Sequence, residues 1–396
     1  MSVRNEALIN PSILAWARES AGFYLEEAAH KIKVSSDVLE ACELGEKRLS
    51  ISQLRLLSNA YKRPLAFFYL PVAPEKEDIP KDFRRLDAKA KKTLSPKLRL
   101  EIRKAEYRRE VALELYKELD FEIPTFNLKI SISSDVIEVS QPIRKLLNVD
   151  LDEQKKLQGE YAVLNFWRER FEKMGILVFQ APMIQLNQMR GFSIDDFPLP
   201  IIVLNSKDYP KARVFTLFHE LAHLLLRSGG ICDLGEQNKV EVFCNAVAGE
   251  TLVPTNPFVK NPIVQNNRKE SDWNDEKIFK VSEQFNVSRE VILRRLLTIG
   301  KISENFYRQK REKYLSDYKN KNKMEGETEK KSIRLPQHTK IISQSGKSFV
   351  RLVLESHRQN KIGLLDVSEY LGTKIKHIPK IEQAISNSTQ MLGGSD

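Results

Sequence analysis

Cysteine is scarce in this 396-residue chain. Only Cys42, Cys232 and Cys244 occur, and no two of them form a Cys-x-x-Cys pair. An odd number without paired spacing supports neither a disulfide framework nor a cysteine-rich zinc site. We therefore expect reduced thiols.

Long apolar runs are missing as well. No stretch approaches the length of a membrane span without charge, and the opening Met-Ser-Val-Arg-Asn-Glu-Ala has no signal core. We expect a cytoplasmic protein with no membrane partner. Gly346-Lys347-Ser348 is similar to the end of a phosphate loop, but Ile341 stands where the first glycine belongs, so no nucleotide site is expected.

Positive charge is abundant. Lys and Arg number 64 against 53 Asp and Glu, a formal net charge of +11, which favours an acidic partner such as DNA. Basic residues gather before and along a predicted helix that starts at Pro96, and four of them are candidate contacts to DNA or a partner: Arg84, Arg85, Arg99 and Arg103. A solvated helix face is the alternative explanation.

The stretch from Arg213 to Leu226 predicts a helix that is apolar nearly all round and therefore buried. His219, Glu220 and His223 fall within about 100° of arc on it. Two histidines one turn apart can bind a single Zn²⁺, while the intervening Glu lies too far round to ligate and can act on water. The alternative is a pair of core histidines satisfied by hydrogen bonds.

Two histidines leave a catalytic zinc one protein ligand short. Glu241, on a second predicted helix, is the first candidate, and Asn245 one turn later is placed to orient a ligand. Glu236 and Glu250 rank second and third. No histidine occurs from 224 to 337, which excludes the three-histidine metzincin motif.

Residues 10 to 70 break into four short predicted helices separated by turn signals. This segment resembles an XRE-type (Cro-like) helix-turn-helix, a resemblance that makes residues 35–44 the recognition helix. Its candidate contacts to DNA or a partner are Ser35, Ser36, Asp37 and Glu40. With Glu43, these positions offer carboxylates rather than base-reading side chains, so a protein-binding or dimerising copy of the fold stays open.

Four segments between 121 and 210 have strand patterns: Asn127–Ile132, Gly175–Phe179, Gly191–Ile194 and Leu199–Leu204. The last contains a proline that suits an edge. An unpaired edge can bind an extended peptide, although a strand that only covers the core is equally consistent.

Two neighbouring stretches, ARVFTLFHELAHLLLRSGGICD and VEVFCNAVAGETLVP, resemble the ImmA/IrrE zinc metallopeptidases. The resemblance implies a gluzincin-like endopeptidase with His219, His223 and Glu241 as Zn²⁺ ligands and Glu220 as catalytic residue. It also implies cleavage of a specific cytosolic repressor-like or toxin/antitoxin partner, encoded nearby, under stress or induction.

The predicted fold is helix-rich α+β: an all-α helix-turn-helix module, then a zincin-like domain with a small sheet and a helical C-terminal part. The expected divisions are an XRE-type domain, a basic linker and helix, the peptidase domain, and a hydrophilic linker with a small helical segment, at 1–73, 74–120, 121–318 and 319–396. The alternative function is a DNA-binding regulator or antitoxin whose peptidase domain is a zinc-stabilised scaffold.

Overall fold

The computed structural model describes residues 6–74, 94–182, 184–226, 234–267, 269–328 and 335–390. The chain divides into two compact units, residues 1–107 and 108–396. Many helices and a three-stranded sheet confirm the predicted helix-rich α+β fold. Within the described ranges, no helix combines the length and the apolar character that crossing a membrane requires.

The first unit begins with four short helices, as the turn signals predict: α1 (Pro11–Ala21), α2 (Leu25–Lys31), α3 (Ser36–Glu43) and α4 (Ile51–Tyr61). Asn10 caps the start of α1, and Gly22 ends that helix with a left-handed φ of 78°. A short 3₁₀ segment, Leu65–Tyr69, follows α4. The four helices enclose a small apolar core. Their identity as a helix-turn-helix stays a prediction.

The long helix α5 (Pro96–Glu118) contains the division between the units. The elements after it are, in chain order, α6 (Val136–Leu147), α7 (Leu151–Lys156), α8 (Glu160–Lys173), β1 (Leu177–Ala181), β2 (Gly191–Ile194), β3 (Ile201–Asn205), α9 (Pro210–Leu226), α10 (Leu234–Leu252), α11 (Thr255–Val259), α12 (Pro262–Asn266), α13 (Asp275–Gln284), α14 (Arg289–Thr298), α15 (Glu304–Thr328), α16 (Gln337–Ser345), α17 (Lys347–Arg358), α18 (Leu364–Tyr370) and α19 (Ile378–Gln390).

The sheet has the order β1-β3-β2, with β1 parallel and β2 antiparallel to β3. The expectation of an edge position for the proline-containing strand is wrong, since β3 is central. Pro200 lies just before β3, where only its carbonyl is needed, and that carbonyl accepts a hydrogen bond from Leu177 at 2.9 Å. Strand β2 is the edge next to α9.

The predicted strand Asn127–Ile132 does not form. The segment is irregular, but its apolar side chains Leu128 and Ile130 pack against the core of the second unit. The Ile130 amide donates to the Leu225 carbonyl of α9 at 3.1 Å. The alternation therefore reflects the one side of an irregular segment that packs near the end of α9.

Helix α9 lies in the middle of the second unit and is buried, as predicted. It packs against α8, α10, β2 and β3. Phe218 forms T-shaped ring pairs with Trp167 and Phe171 of α8, with ring centroids 4.8 and 5.2 Å apart. This aromatic packing fixes the rotation of α9 and hence the direction in which its polar residues point.

The helices after residue 335 pack on α8 and on the outer edge strand β1. Arg168 of α8 donates to the Ser343 carbonyl at the end of α16, at 3.0 Å. Glu172, one turn later, accepts from the Ser348 amide at the start of α17, at 2.9 Å. Both α8 side chains are buried, and burial raises the pKa of Glu172.

Candidate metal centre

Three potential metal ligands converge where α9 faces α10. The Nε2 atoms of His219 and His223 are 3.1 Å apart, and each lies 3.3 Å from one carboxylate oxygen of Glu241. Both imidazoles are half-buried, whereas Glu241 keeps about half of its side-chain surface exposed, at 54%. The cluster is therefore accessible from one side.

These separations suit one small cation. Neighbouring ligands around a tetrahedral Zn²⁺ lie about 3.3 Å apart when its bonds are about 2.0–2.1 Å long. Two imidazole nitrogens and a carboxylate oxygen are also ligands that this ion accepts. His219, His223 and Glu241 thus fit a catalytic-type site, in which three protein ligands leave a fourth position open.

The electrostatics of the cluster favour an added positive charge. Burial opposes a charged His223, but hydrogen bonds to Cys244 and Glu241 outweigh it and raise the pKa of His223 to about 11. Hydrogen bonds from the two imidazoles lower the pKa of Glu241. A proton and a metal ion compete for the same imidazole lone pair, so metal binding here would release protons.

Glu220 follows His219 on α9 but does not belong to the three-ligand cluster. Its side chain is buried, and Ser193 of β2 donates a hydrogen bond to Oε2 at 2.9 Å. Strand β2 approaches α9 very closely at Gly191. A Cβ atom at Gly191 would lie 2.4 Å from the Thr216 methyl group and 3.3 Å from Oε1 of Glu220.

The role of orienting a ligand that the sequence assigns to Asn245 stays a prediction. The side chain of Asn245 is half-buried and, among the described residues, makes no hydrogen bond to His219, His223 or Glu241. Cys244, fully buried beside it, bonds to the imidazole of His223 instead. On α10 it is therefore Cys244, rather than Asn245, that faces His223.

Glu250, another carboxylate considered as third ligand, has its own partners away from the cluster. Glu250 is buried, pairs with Arg295 at 2.5 Å and accepts two hydrogen bonds from Thr255 at 2.7 Å. Its oxygens are therefore committed. The side chain of Glu236 lies outside the described residues.

Sequence reasoning missed Ser193 and Cys244. Ser193 belongs to a predicted strand whose pairing partner, and hence whose inward face, the pattern does not specify. Cys244 stands three residues after Glu241, so helical spacing does place it near the same face. That spacing is the signal that could have found it.

In the first unit, Ser35, Asp37 and Glu40 are exposed and Ser36 is half-buried. The sequence places Glu43 among the exposed positions of the recognition helix, but its side chain is only 8% exposed. Arg18 of α1 binds both of its carboxylate oxygens, at 2.8 and 2.9 Å. The acidic surface of α3 is thus smaller than the sequence suggested.

The predicted basic face of α5 is largely committed to main-chain contacts. Arg103 donates to the Tyr61 carbonyl at 3.1 Å, and Arg99 to the Glu19 carbonyl at 3.4 Å. Further along the helix, Arg109 donates to the carbonyls of Asp196, Pro198 and Leu199 at 3.0–3.1 Å. These guanidinium groups stabilise the fold through carbonyl contacts and are therefore less available to bind DNA phosphates. Arg84 and Arg85 lie outside the described residues.

Residues 171–297 match the family model Peptidase_M78, described as the IrrE N-terminal-like domain. The matched span contains the sheet, α9 and α10, and therefore all four residues of the site. The match supports a peptidase domain of the ImmA/IrrE type in this part of the chain, a family of metallopeptidases. A comparison with curated proteins gives no match.

Proposed function

We propose that this protein is a zinc-dependent metallo-endopeptidase of the gluzincin type. The observation that carries the proposal is the meeting of His219, His223 and Glu241 at 3.1–3.3 Å beside the buried carboxylate of Glu220. The peptidase-family match over the same elements supports it. A merely structural site would have no need of a carboxylate held next to it.

Zn²⁺ held by these three ligands would supply a Lewis acid that polarises a scissile carbonyl and makes a nearby water more acidic. Glu220 accepts the proton of the attacking water and passes it to the leaving amine. Its carboxylate accepts a hydrogen bond from Ser193, and the apolar packing of α9 keeps bulk water away from its inner side.

The substrate that we propose is a specific repressor-like or toxin/antitoxin protein in the cytoplasm, encoded near this gene. Strand β2 is the sheet edge beside Glu220, and an extended segment of a partner can pair with such an edge through its backbone. The separate helical unit at the N-terminus would recognise the partner or DNA and so regulate cleavage.

The test uses the full-length protein loaded with zinc and two kinds of probe. One is a library of diverse synthetic peptides followed by mass spectrometry, and the other is the purified repressor-like product of a neighbouring gene. We expect cleavage by the wild type and a loss of at least about a hundredfold in Glu220→Gln, which keeps size but removes the base. Equal cleavage by both proteins would contradict the proposal.

A further inference from the structure

Strand β2 presents a serine hydroxyl to the carboxylate beside the metal ligands. We propose that Ser193 is a positioning residue that fixes the orientation of Glu220 for proton transfer. The inference rests on the proposed peptidase function, in which Glu220 is the base. Strand β2 would then position the catalytic base, in addition to any contact that it makes with a substrate.

The hydroxyl is itself held firmly. Ser193 pairs with Ile202 of the central strand, and only 1% of its surface is exposed. Its Oγ donates to Oε2 of Glu220 at 2.9 Å, within the normal range of an O–H···O hydrogen bond. A carboxylate at the end of a flexible side chain otherwise rotates about its last bond. This contact selects one orientation.

The absence of a side chain at Gly191 completes the arrangement. A Cβ there would lie 3.3 Å from Oε1, the other oxygen of the Glu220 carboxylate. Glycine therefore keeps the space beside Oε1 open, and serine occupies Oε2. The two positions, on the same side of β2, leave Oε1 as the oxygen that accepts the proton of water.

The kinetic test compares Ser193→Ala with Ser193→Thr, which keeps the hydroxyl. With the best-cleaved library peptide as probe, we expect Ser193→Ala to lower kcat by about tenfold or more while KM stays within about twofold. Zinc content should equal that of the wild type. Ser193→Thr should recover most of kcat, and equal kcat in the wild type and Ser193→Ala would overturn the inference.

A double variant separates positioning from a general structural effect. Because Ser193 acts through Glu220, adding Ser193→Ala to Glu220→Gln should cause no further loss of residual activity. A further loss as large as that caused by Ser193→Ala alone would show that the serine acts elsewhere. If Glu220→Gln were fully active, the proposed function would fail, and this cycle would reveal it separately.

A structural measurement needs no activity at all. In a crystal structure of zinc-loaded Ser193→Ala, the Glu220 carboxylate should occupy a new orientation or more than one. Ser193→Thr is the matched control and should keep the wild-type orientation. A single, unchanged carboxylate orientation in Ser193→Ala would overturn the positioning role, whatever the substrate proves to be.

Discussion

Arg295 of α14 and Glu250 of α10 form an ion pair 2.5 Å long in which both side chains are almost completely buried. Arg295 also donates to the Val253 carbonyl at 3.0 Å and to the Thr255 hydroxyl at 2.7 Å. The pair joins the helix that carries Glu241 to the helices after it. Its geometry explains why Glu250, although near in sequence, takes no part in the metal centre.

Glu250→Ala should destabilise the protein by about 3–5 kcal/mol, because it leaves the buried guanidinium of Arg295 without its partner. Urea unfolding of the zinc-loaded protein measures this. Glu276→Ala is the control, since the Glu276–Lys280 pair is largely exposed, and it should leave the unfolding midpoint nearly unchanged. Equal midpoints for the two variants would contradict the prediction.

Glu241→Ala should reduce the zinc bound after purification far more than Glu250→Ala, because of these two carboxylates it is Glu241 that lies 3.3 Å from each imidazole. Asn245→Ala should keep its zinc, since Asn245 makes no bond to the ligands. Elemental analysis of the purified variants decides the matter. Full zinc retention in Glu241→Ala, with loss in Glu250→Ala, would assign the third ligand differently.

Removal of metal by a chelator should lower the thermal midpoint of the wild-type protein, because metal binding stabilises the folded state that contains the site. Glu220→Gln should show the same decrease, since Glu220 is not a ligand. His219→Ala should start at the lower midpoint and respond little. Calorimetry with and without chelator measures all three, and a chelator response in His219→Ala equal to that of the wild type would refute the ligand assignment.

Gly191→Ala should destabilise the second unit by about 1–3 kcal/mol, because the new methyl group meets the Thr216 methyl at 2.4 Å. Thr216→Ser removes that methyl but keeps the hydroxyl. The double variant should therefore regain part of the lost stability in denaturant unfolding. If Thr216→Ser gives no relief, the close approach of β2 to α9 is not what requires glycine.

Any affinity for DNA should be weak and strongly dependent on salt. With Arg99 and Arg103 bound to carbonyls, few basic side chains stay available, and two or three phosphate contacts lose roughly ten- to fortyfold in affinity between about 50 and about 200 mM salt. Arg84→Ala with Arg85→Ala should weaken binding in salt titrations, whereas Arg103→Ala should mainly lower thermal stability. Tight binding that persists at moderate salt and depends on residues 35–44 would contradict this.

The burial of α9 could be predicted from the sequence. Eight large apolar residues surround His219, Glu220 and His223, so the helix has no side that suits water. The fold class followed from the many predicted helices and from the short strand patterns confined to residues 127–204. The prediction of a strand at Asn127–Ile132 was wrong because alternating apolar residues indicate that one side of a segment is buried. They do not specify whether a neighbouring strand or a helix covers that side. The central position of β3 was missed because Pro200 was counted inside the strand.

The finer parts of the site depend on contacts between segments distant in sequence. Ser193 lies 27 residues before Glu220, and no local spacing relates a strand to a later helix. The arginines of α5 looked solvated because helix periodicity shows which residues share a face. It does not show that a carbonyl, such as that of Tyr61, lies within reach of one of them.

The attachment of the last helices has a consequence for the engineering of shorter versions of this protein. Ending the chain near residue 330 would remove Ser343 and Ser348 and leave the buried Arg168 and Glu172 without these backbone partners. It would also strip α16 from β1 and expose a sheet edge that can pair with other chains. A fragment that ends near residue 330 should thus aggregate, and a stable shorter version must keep the helices through α19.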